Sequence, residues 1–289
     1  MRVLFIGGTG IISTGITRLL IDRGDDVVLY NRGQRPSLFE GDHTTISGDR
    51  KEFSSFESQM QEAGVFDCVI DMVCYLPEEA QSAIRAFQGR TGQYIFCSTV
   101  DVYTKPAAVY PITEAAERRP SKKFMYGYNK ALCEQLLFAA HERGDLAVTS
   151  IRPGHTYGEG GNNLLHALGR VNYHVDRLRK AQPLIVHGNG TSFWPTCHRD
   201  NVSVAVVGAL GNEKATGRGY HVAGEEWMTW EGYHLGLAEA IDAKPPEFVH
   251  IPTDVLVRMA PQDAFLTEVN FSYNNLFDNT AAREDLGFR

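Results

Sequence analysis

No run of apolar residues in this 289-residue chain approaches the ~20 that a helix needs to cross a bilayer, so no membrane span is expected. Basic residues form no cluster. The 28 Lys and Arg are outnumbered by 35 Asp and Glu, giving a formal net charge of −7 that would repel a nucleic-acid backbone. Cysteine is scarce and unpatterned. Cys68, Cys74, Cys97, Cys133 and Cys197 are odd in number and contain no CxxC pair, so reduced, mostly buried thiols are expected. The ten histidines show no HExxH or other ligand spacing, and no metal site is expected. Internal repeats and low-complexity stretches are missing too. The first apolar run opens at Val3 and reads as a working strand, which leaves no leader peptide and points to a cytoplasmic protein.

What the chain has is the composition of a globular enzyme, 43% hydrophobic and 22% charged. Its length suits one large domain or a domain with a smaller lobe. Val3-Leu4-Phe5-Ile6 is a buried-strand run that feeds Gly7-Gly8-Thr9-Gly10, and Ile12, Ile16, Leu19 and Leu20 then recur at helical spacing up to Gly24. A strand entering a helix through glycines aims backbone N–H groups and the positive helix end at one point, which suits a pyrophosphate. Gly7, Thr9, Gly10, Ile11 and Ile12 are therefore the candidate dinucleotide cradle. Some twenty residues on, the second apolar run Val27-Val28-Leu29-Tyr30 ends at Asn31-Arg32-Gly33-Gln34-Arg35. An acidic residue there would take the ribose hydroxyls. Asn31, Arg32 and Arg35 instead favour a 2′-phosphate, hence NADP over NAD.

Further strands are expected at Thr44 to Asp49, Phe66 to Val73, Gln93 to Thr99 and Val148 to Gly154, with helices between them. This alternation predicts an α/β fold, a Rossmann-type doubly wound parallel sheet. Residues 104–123 read as a loop over a cleft. Beyond Tyr157 the rhythm breaks into a mixed helix at 162–182, a strand at 184–186, helices at 199–210 and 230–241, and strands at 220–222 and 248–251. Helices around 253–260 and 280–286 complete the chain. The expected division is a dinucleotide-binding domain at 1–160 plus about 199–223. A smaller C-terminal α/β substrate lobe is expected from about 161–198 and 224–289.

The helix after the fifth strand carries Tyr126 and Lys130, four residues apart and so on one face. A phenol is a poor base at neutral pH, and a neighbouring ammonium favours its phenolate. Tyr126 is thus a candidate acid/base on an alcohol or carbonyl oxygen. Lys130 can also hold a nicotinamide ribose. Thr99 ends the fifth strand, at the carboxyl edge where open α/β sheets place ligands, and can orient the same oxygen.

These motifs in this order resemble the extended short-chain dehydrogenase/reductases, the NAD-dependent epimerase/dehydratase family, over nearly the whole chain. The resemblance is carried by Gly7 to Ser13, Asp49, and Phe96-Cys97-Ser98-Thr99-Val100-Asp101-Val102-Tyr103. It continues through Tyr126-Gly127-Tyr128-Asn129-Lys130, Arg152 to Gly158, His198-Arg199-Asp200-Asn201-Val202 and Asp278 to Phe288. It implies a Rossmann domain holding NAD(P), Asp49 and His155 beside the cofactor, a smaller substrate lobe and a homodimer. It also implies Tyr126 as acid/base with Lys130 and Thr99 as partners.

The departures bear on the substrate. Ser13 replaces the third glycine of the turn. Val100-Asp101 stands where sugar dehydratases carry Asp-Glu, so dehydration is disfavoured. Trp194 occupies the place, four residues before His198, where nucleotide-sugar epimerases clamp a diphosphate with Arg. Asp101, His155 and Trp194 are therefore candidate contacts to a smaller or uncharged sugar. The expected activity is hydride transfer at a secondary alcohol or ketone carbon of a sugar or sugar-like substrate. Return of the hydride to the other face would epimerise, and release of the ketone would make a dehydrogenase or reductase. The alternative from another class is a non-catalytic cofactor-binding or RNA-associated protein.

Overall fold

The computed structural model describes residues 1–34, 43–159, 164–169 and 172–289. In chain order the elements are β1 (Arg2–Ile6), α1 (Ile11–Asp22), β2 (Asp26–Asn31), β3 (Thr44–Ser47), α2 (Phe53–Ala63), β4 (Phe66–Asp71), α3 (Pro77–Phe87) and β5 (Thr91–Cys97). Next come α4 (Met125–Glu142), β6 (Val148–Pro153), β7 (His155–Tyr157), α5 (Tyr173–Arg179), β8 (Leu184–His187), β9 (Phe193–Trp194), β10 (Thr196–His198) and α6 (Arg199–Ala209). The last are β11 (Gly219–Val222), β12 (Met228–Thr229), α7 (Trp230–Ala240), β13 (Phe248–Ile251), α8 (Thr253–Met259) and α9 (Thr280–Leu286).

Seven strands form one parallel sheet in the order β11-β6-β5-β4-β1-β2-β3. The reason lies in the strand sequences. Side chains alternate between the two faces of a strand, so an all-apolar strand needs cover on both. Val3 and Phe5 pack into a core with α1, α6 and α9, whereas Leu4 and Ile6 pack into the opposite core with α2, α3 and α4. All four are fully buried. Strand order reverses at β1, between β2 and β4, which opens a crevice at the carboxyl ends of the strands.

Outside the sheet, β8, β13, α7 and a π-helical turn at Thr267–Phe271 gather around Leu165, Trp194, Trp230 and Phe271. Helices α8 and α5 pack in two smaller apolar clusters that hold Leu256 and Leu178. We call these elements the smaller lobe. The expected helix at 162–182 is much shorter. Residues 164–169 make a turn closed by the His166–Gly169 bridge, and the helix is confined to Tyr173–Arg179. The C-terminal tail also departs from expectation. Ala282, Leu286 and Phe288 fill the β1-side core instead of the smaller lobe, because α6 presents an apolar groove to α9. The five cysteines form no disulfides, and four are buried. Among the described residues no helix is long and apolar enough to cross a membrane.

Candidate active site

The crevice holds two cavities that share Gly7, Gly10, Val73 and Tyr75 as a common wall. The larger, of about 590 Å³, lies over the carboxyl ends of β1, β5 and β6 and reaches into the smaller lobe. The other, of about 400 Å³, lies over the ends of β1 and β2 and the turn after β3.

The glycine turn forms the shared wall for steric reasons. Gly7 has a φ of +84°, and a β-carbon there would meet Val73 Cγ1 at 2.6 Å. At Gly8 a β-carbon would strike Leu29 and Phe5 at 2.8 and 2.9 Å. Gly10 is different. A β-carbon there would touch only Ser13 Oγ, at 3.4 Å, and would otherwise project toward open space. Gly10 is also the N-cap of α1, with no side-chain cap and no acidic residue in the first turn. The free N–H groups of α1 and its positive end therefore face the cavity walled by Ile11, Ile12 and Ser13. This is a fit for a pyrophosphate. The close helix contact in α1 falls at Gly15, two positions beyond Ser13. A β-carbon on Gly15 would stand 2.5 Å from Ser203 Oγ of α6.

In the smaller cavity the structure places Thr9, Asn31, Arg32 and Asp49. Asn31 Oδ1 accepts from the Gly33 N–H at 2.8 Å, so its side chain shapes the turn. Arg32 is exposed and lines the cavity with Lys51. Arg35 lies outside the described residues. Sequence reasoning passed over Arg50, which lines the same cavity and is buried. Its Nη2 lies 3.3 Å from Asp71 Oδ2 and donates to the Glu79 carbonyl at 2.5 Å, and the guanidinium sits 4.2 Å from the Phe56 ring centroid. The only hint in the sequence was a cation directly after Asp49.

The larger cavity gathers Thr99, Asp101, Tyr126, Lys130, His155 and Trp194. Thr99 lies two residues beyond the end of β5, in an extended conformation, and caps a short 3₁₀ turn at Val100–Val102. Its Oγ1 donates to Asp101 Oδ2 at 3.3 Å and accepts from the Asp101 N–H at 3.2 Å. The start of α4 lies against this turn because Gly127 has no side chain; a β-carbon there would be 2.5 Å from the Asp101 carbonyl oxygen. Helix α4 is in turn fixed to β6 by a buried bidentate pair. Arg152 Nε and Nη2 donate to Glu134 at 2.7 and 2.9 Å. Burial works to raise the Glu134 carboxyl, but the charge and hydrogen bonds of Arg152 win and hold it below the usual carboxylate range.

Tyr126 opens α4 between the rings of Tyr75 and Phe124, at centroid distances of 6.5 and 6.0 Å. Tyr126 is 43% exposed in the open cavity, and desolvation by the surrounding walls raises its phenol above the ordinary value. The charges of Asp101, Cys97 and Tyr75 add to the rise, and a hydrogen bond with Thr99 opposes it. The sequence predicted the reverse, a phenol lowered by Lys130. The difference lies in where the ammonium goes. Lys130 Nζ donates to the Cys97 carbonyl at 2.6 Å and sits 4.6 Å from the Tyr75 ring centroid, so its charge is spent on those groups.

Trp194 is 6% exposed and packs on Trp230 and Phe271 at centroid distances of 5.2 and 4.7 Å. His155 lies 5.9 Å from its ring. Among the described residues lining the larger cavity, Lys130 is the sole Lys or Arg. Two further residues were invisible to sequence reasoning. Asn270, from the π-helical turn, donates to Asp101 Oδ1 at 2.9 Å, and Lys105 Nζ lies 3.3 Å from the same oxygen. Lys105 and Asn270 also bond each other. No local pattern marks these two, since 165 residues separate them.

Residues 80–223 match the profile of the NAD dependent epimerase/dehydratase family. The chain belongs to that family, the extended short-chain dehydrogenase/reductases, which are NAD(P)-dependent enzymes. Among curated relatives, the chloroplast stem-loop binding protein of 41 kDa b from Arabidopsis thaliana is 28% identical over 86% of this chain, which spans 65% of that protein's length. The 2′-dehydrokanamycin reductase of Streptomyces kanamyceticus is 26% identical over 96% of this chain and 77% of its own. Among solved structures, Pal from Bacillus thuringiensis superposes with a TM-score of 0.76 at 18% identity, over 100% of this chain and 94% of that one. The UDP-glucose 4-epimerase of Thermotoga maritima gives 0.75 at 19% identity, over 100% and 93%. These structural likenesses share the Rossmann-like fold with this family member.

Proposed function

We propose that this family member is an NAD(P)-dependent oxidoreductase acting at a ketone or secondary alcohol carbon of a sugar-like substrate that carries no diphosphate. The observation that supports this reading is that Thr99, Tyr126 and Lys130 line the larger cavity together with Gly10, Ile11 and Ile12 at the open N-terminus of α1. A bound nicotinamide dinucleotide supplies or accepts the hydride. Gly7, Thr9, Gly10, Ile11 and Ile12 would hold its pyrophosphate. Arg32 and Lys51 line the smaller cavity and favour a 2′-phosphate there, hence NADP.

Thr99 and Tyr126 take the substrate oxygen. Both side chains line the same cavity, so Tyr126 would donate its phenol proton to a ketone oxygen as the acid in reduction. The larger cavity has an aromatic end at Trp194 and Phe271 and no guanidinium among the described residues, which disfavours a nucleotide-sugar. The similarity to 2′-dehydrokanamycin reductase supports a reductase over an epimerase. An RNA-associated role rests on the likeness to the stem-loop binding protein, and the net charge of −7 runs against it.

The test begins with mass spectrometry of nucleotide released from the purified protein. A panel of ketoses, amino-sugar ketones and UDP-sugars is then assayed for NADPH and NADH consumption. Turnover of uncharged or amino-sugar ketones, lost by about 10²–10⁴-fold in Tyr126→Phe, is the expected result. Full activity in Tyr126→Phe, or turnover of UDP-sugars only, would overturn the reading.

A further inference from the structure

Asp101 is the one carboxylate on the walls of the larger cavity, and it lines a second, smaller cavity of about 160 Å³ as well. Its two oxygens are used differently. Oδ1 is held by Lys105 and by Asn270, while Oδ2 accepts from Thr99. Thr99 has a single hydroxyl proton and two neighbours that can take it, Asp101 on one side and the Tyr126 oxygen on the other. Lys130, by contrast, is engaged with the Cys97 carbonyl.

We propose that Asp101 exchanges protons with Tyr126 through Thr99, with Lys105 and Asn270 as positioning residues that aim the carboxylate. The proposal rests on the reading of Tyr126 as acid/base. In the direction of alcohol oxidation, the Tyr126 O–H bond breaks as a new O–H bond forms on Thr99. The original Thr99 O–H breaks in the same event, and a bond forms from that proton to Asp101 Oδ2. Tyr126 is left as the phenolate that takes the alcohol proton, and the negative charge lost by Asp101 reappears on Tyr126. In ketone reduction the same bonds form and break in reverse, returning a proton to Tyr126. Asp101 can exchange with solvent through the small cavity, which Lys105, Lys123, Glu268 and Tyr273 also line. Such an exchange must answer to every charge around it. Asp101, Cys97 and Tyr75 face Tyr126, and Lys105 faces Asp101, with burial lowering the Lys105 ammonium from its usual value.

Asn270 gives the relay a second property. It comes from the smaller lobe, whereas Thr99, Asp101 and Lys105 follow β5. One of the contacts that aim the carboxylate is therefore made from outside the segment that follows β5.

The experiment replaces Tyr126 with difluorotyrosine, whose phenol ionises more readily, and follows its absorbance against pH in the NADP-loaded protein. Asp101→Asn should lower the ionisation midpoint by about one pH unit, a tenfold change in ionisation constant, and Lys105→Gln should raise it. Adding Thr99→Val should abolish at least half of each shift, because the hydroxyl bridge is gone. Equal shifts with and without Thr99 would mean a field effect across space and would overturn the relay. Lys105→Gln keeps the question open to decision if Asp101→Asn does not fold. Activity of Tyr126→Phe on the ketone panel separates the two ideas. An inactive Tyr126→Phe combined with Thr99-independent shifts overturns the relay alone, whereas a fully active one overturns the role of Tyr126 and with it the relay's part in catalysis.

Discussion

Gly15 of α1 and Ser203 of α6 lie so close that a β-carbon on the glycine would stand 2.5 Å from the serine Oγ. The contact is why two helices from distant parts of the chain seal one face of the sheet beside the glycine turn. Ser203 is fully buried and its Oγ donates to the Arg199 carbonyl at 2.8 Å, so it has little room to yield. Gly15→Ala should therefore destabilise the fold by about 1–3 kcal/mol, the usual cost of overpacking. Urea denaturation measures it, and an unchanged midpoint would show that the helices simply move apart.

Two neighbouring glycines should separate folding from binding. Gly8→Ala drives a β-carbon into Leu29 and Phe5 and should lower the melting temperature. Gly10→Ala meets only Ser13 Oγ at 3.4 Å and should fold normally. It puts a methyl group where a pyrophosphate would rest on the helix end, so NADP affinity measured by calorimetry should fall at least tenfold. Normal affinity in Gly10→Ala would move the phosphates elsewhere.

Cofactor choice can be read at Arg32. It is exposed, lines the smaller cavity and has no acidic residue beside it at the end of β2. Arg32→Asp should weaken NADP by roughly 1.5–3 kcal/mol, the range of a charged hydrogen bond, while leaving NAD almost untouched. Equal losses for the two nucleotides would show that Arg32 does not contact the 2′-phosphate.

The smaller lobe should be sensitive to acid. His166, His174 and His234 stack in its interior, with His166 and His174 ring centroids 5.3 Å apart. Burial first, and then the neighbouring histidines, hold His166 down at about 2 and His234 at about 3; burial holds His187 at about 4. His166, His187 and His234 are neutral in the fold. Above pH ~6.5 the unfolded chain is neutral at these positions too, and nothing is lost. Below it the unfolded chain takes up protons that the folded lobe refuses, so stability falls as pH drops from about 6.5 toward these values. Each histidine contributes a slope of up to about 1.4 kcal/mol per pH unit. Guanidinium midpoints should decline from pH 7 to pH 5, and less steeply in His234→Gln. A flat profile would mean that the histidines are charged in the fold.

The parallel sheet was legible because its strands are apolar on both faces and separated by glycines and helical periods. Val3 to Ile6 needed no tertiary information. Thr99, Tyr126 and Lys130 were legible as an ordered set, and the structure brings all three to the larger cavity. Other features depend on distance along the chain. Asn270 reaches Asp101 across 169 residues, and Gly15 meets a helix near residue 200, so no local period could show either. The sign of the Tyr126 shift failed for a related reason. The i,i+4 spacing puts Lys130 on the right face, but the Cys97 carbonyl claims its ammonium, and desolvation then decides the phenol. Residues 164–169 looked helical by composition, yet the turn there is closed by a bridge instead.

The wall shared by the two cavities has a kinetic meaning. Gly7, Gly10, Val73 and Tyr75 border both, so a dinucleotide bound as proposed would run across that wall and become one side of the larger chamber. A substrate entering before it would find a chamber missing that side and would lie across the path the nicotinamide must take. A dinucleotide bound as proposed would therefore impose a compulsory sequence of arrivals and departures, with the nucleotide first in and last out.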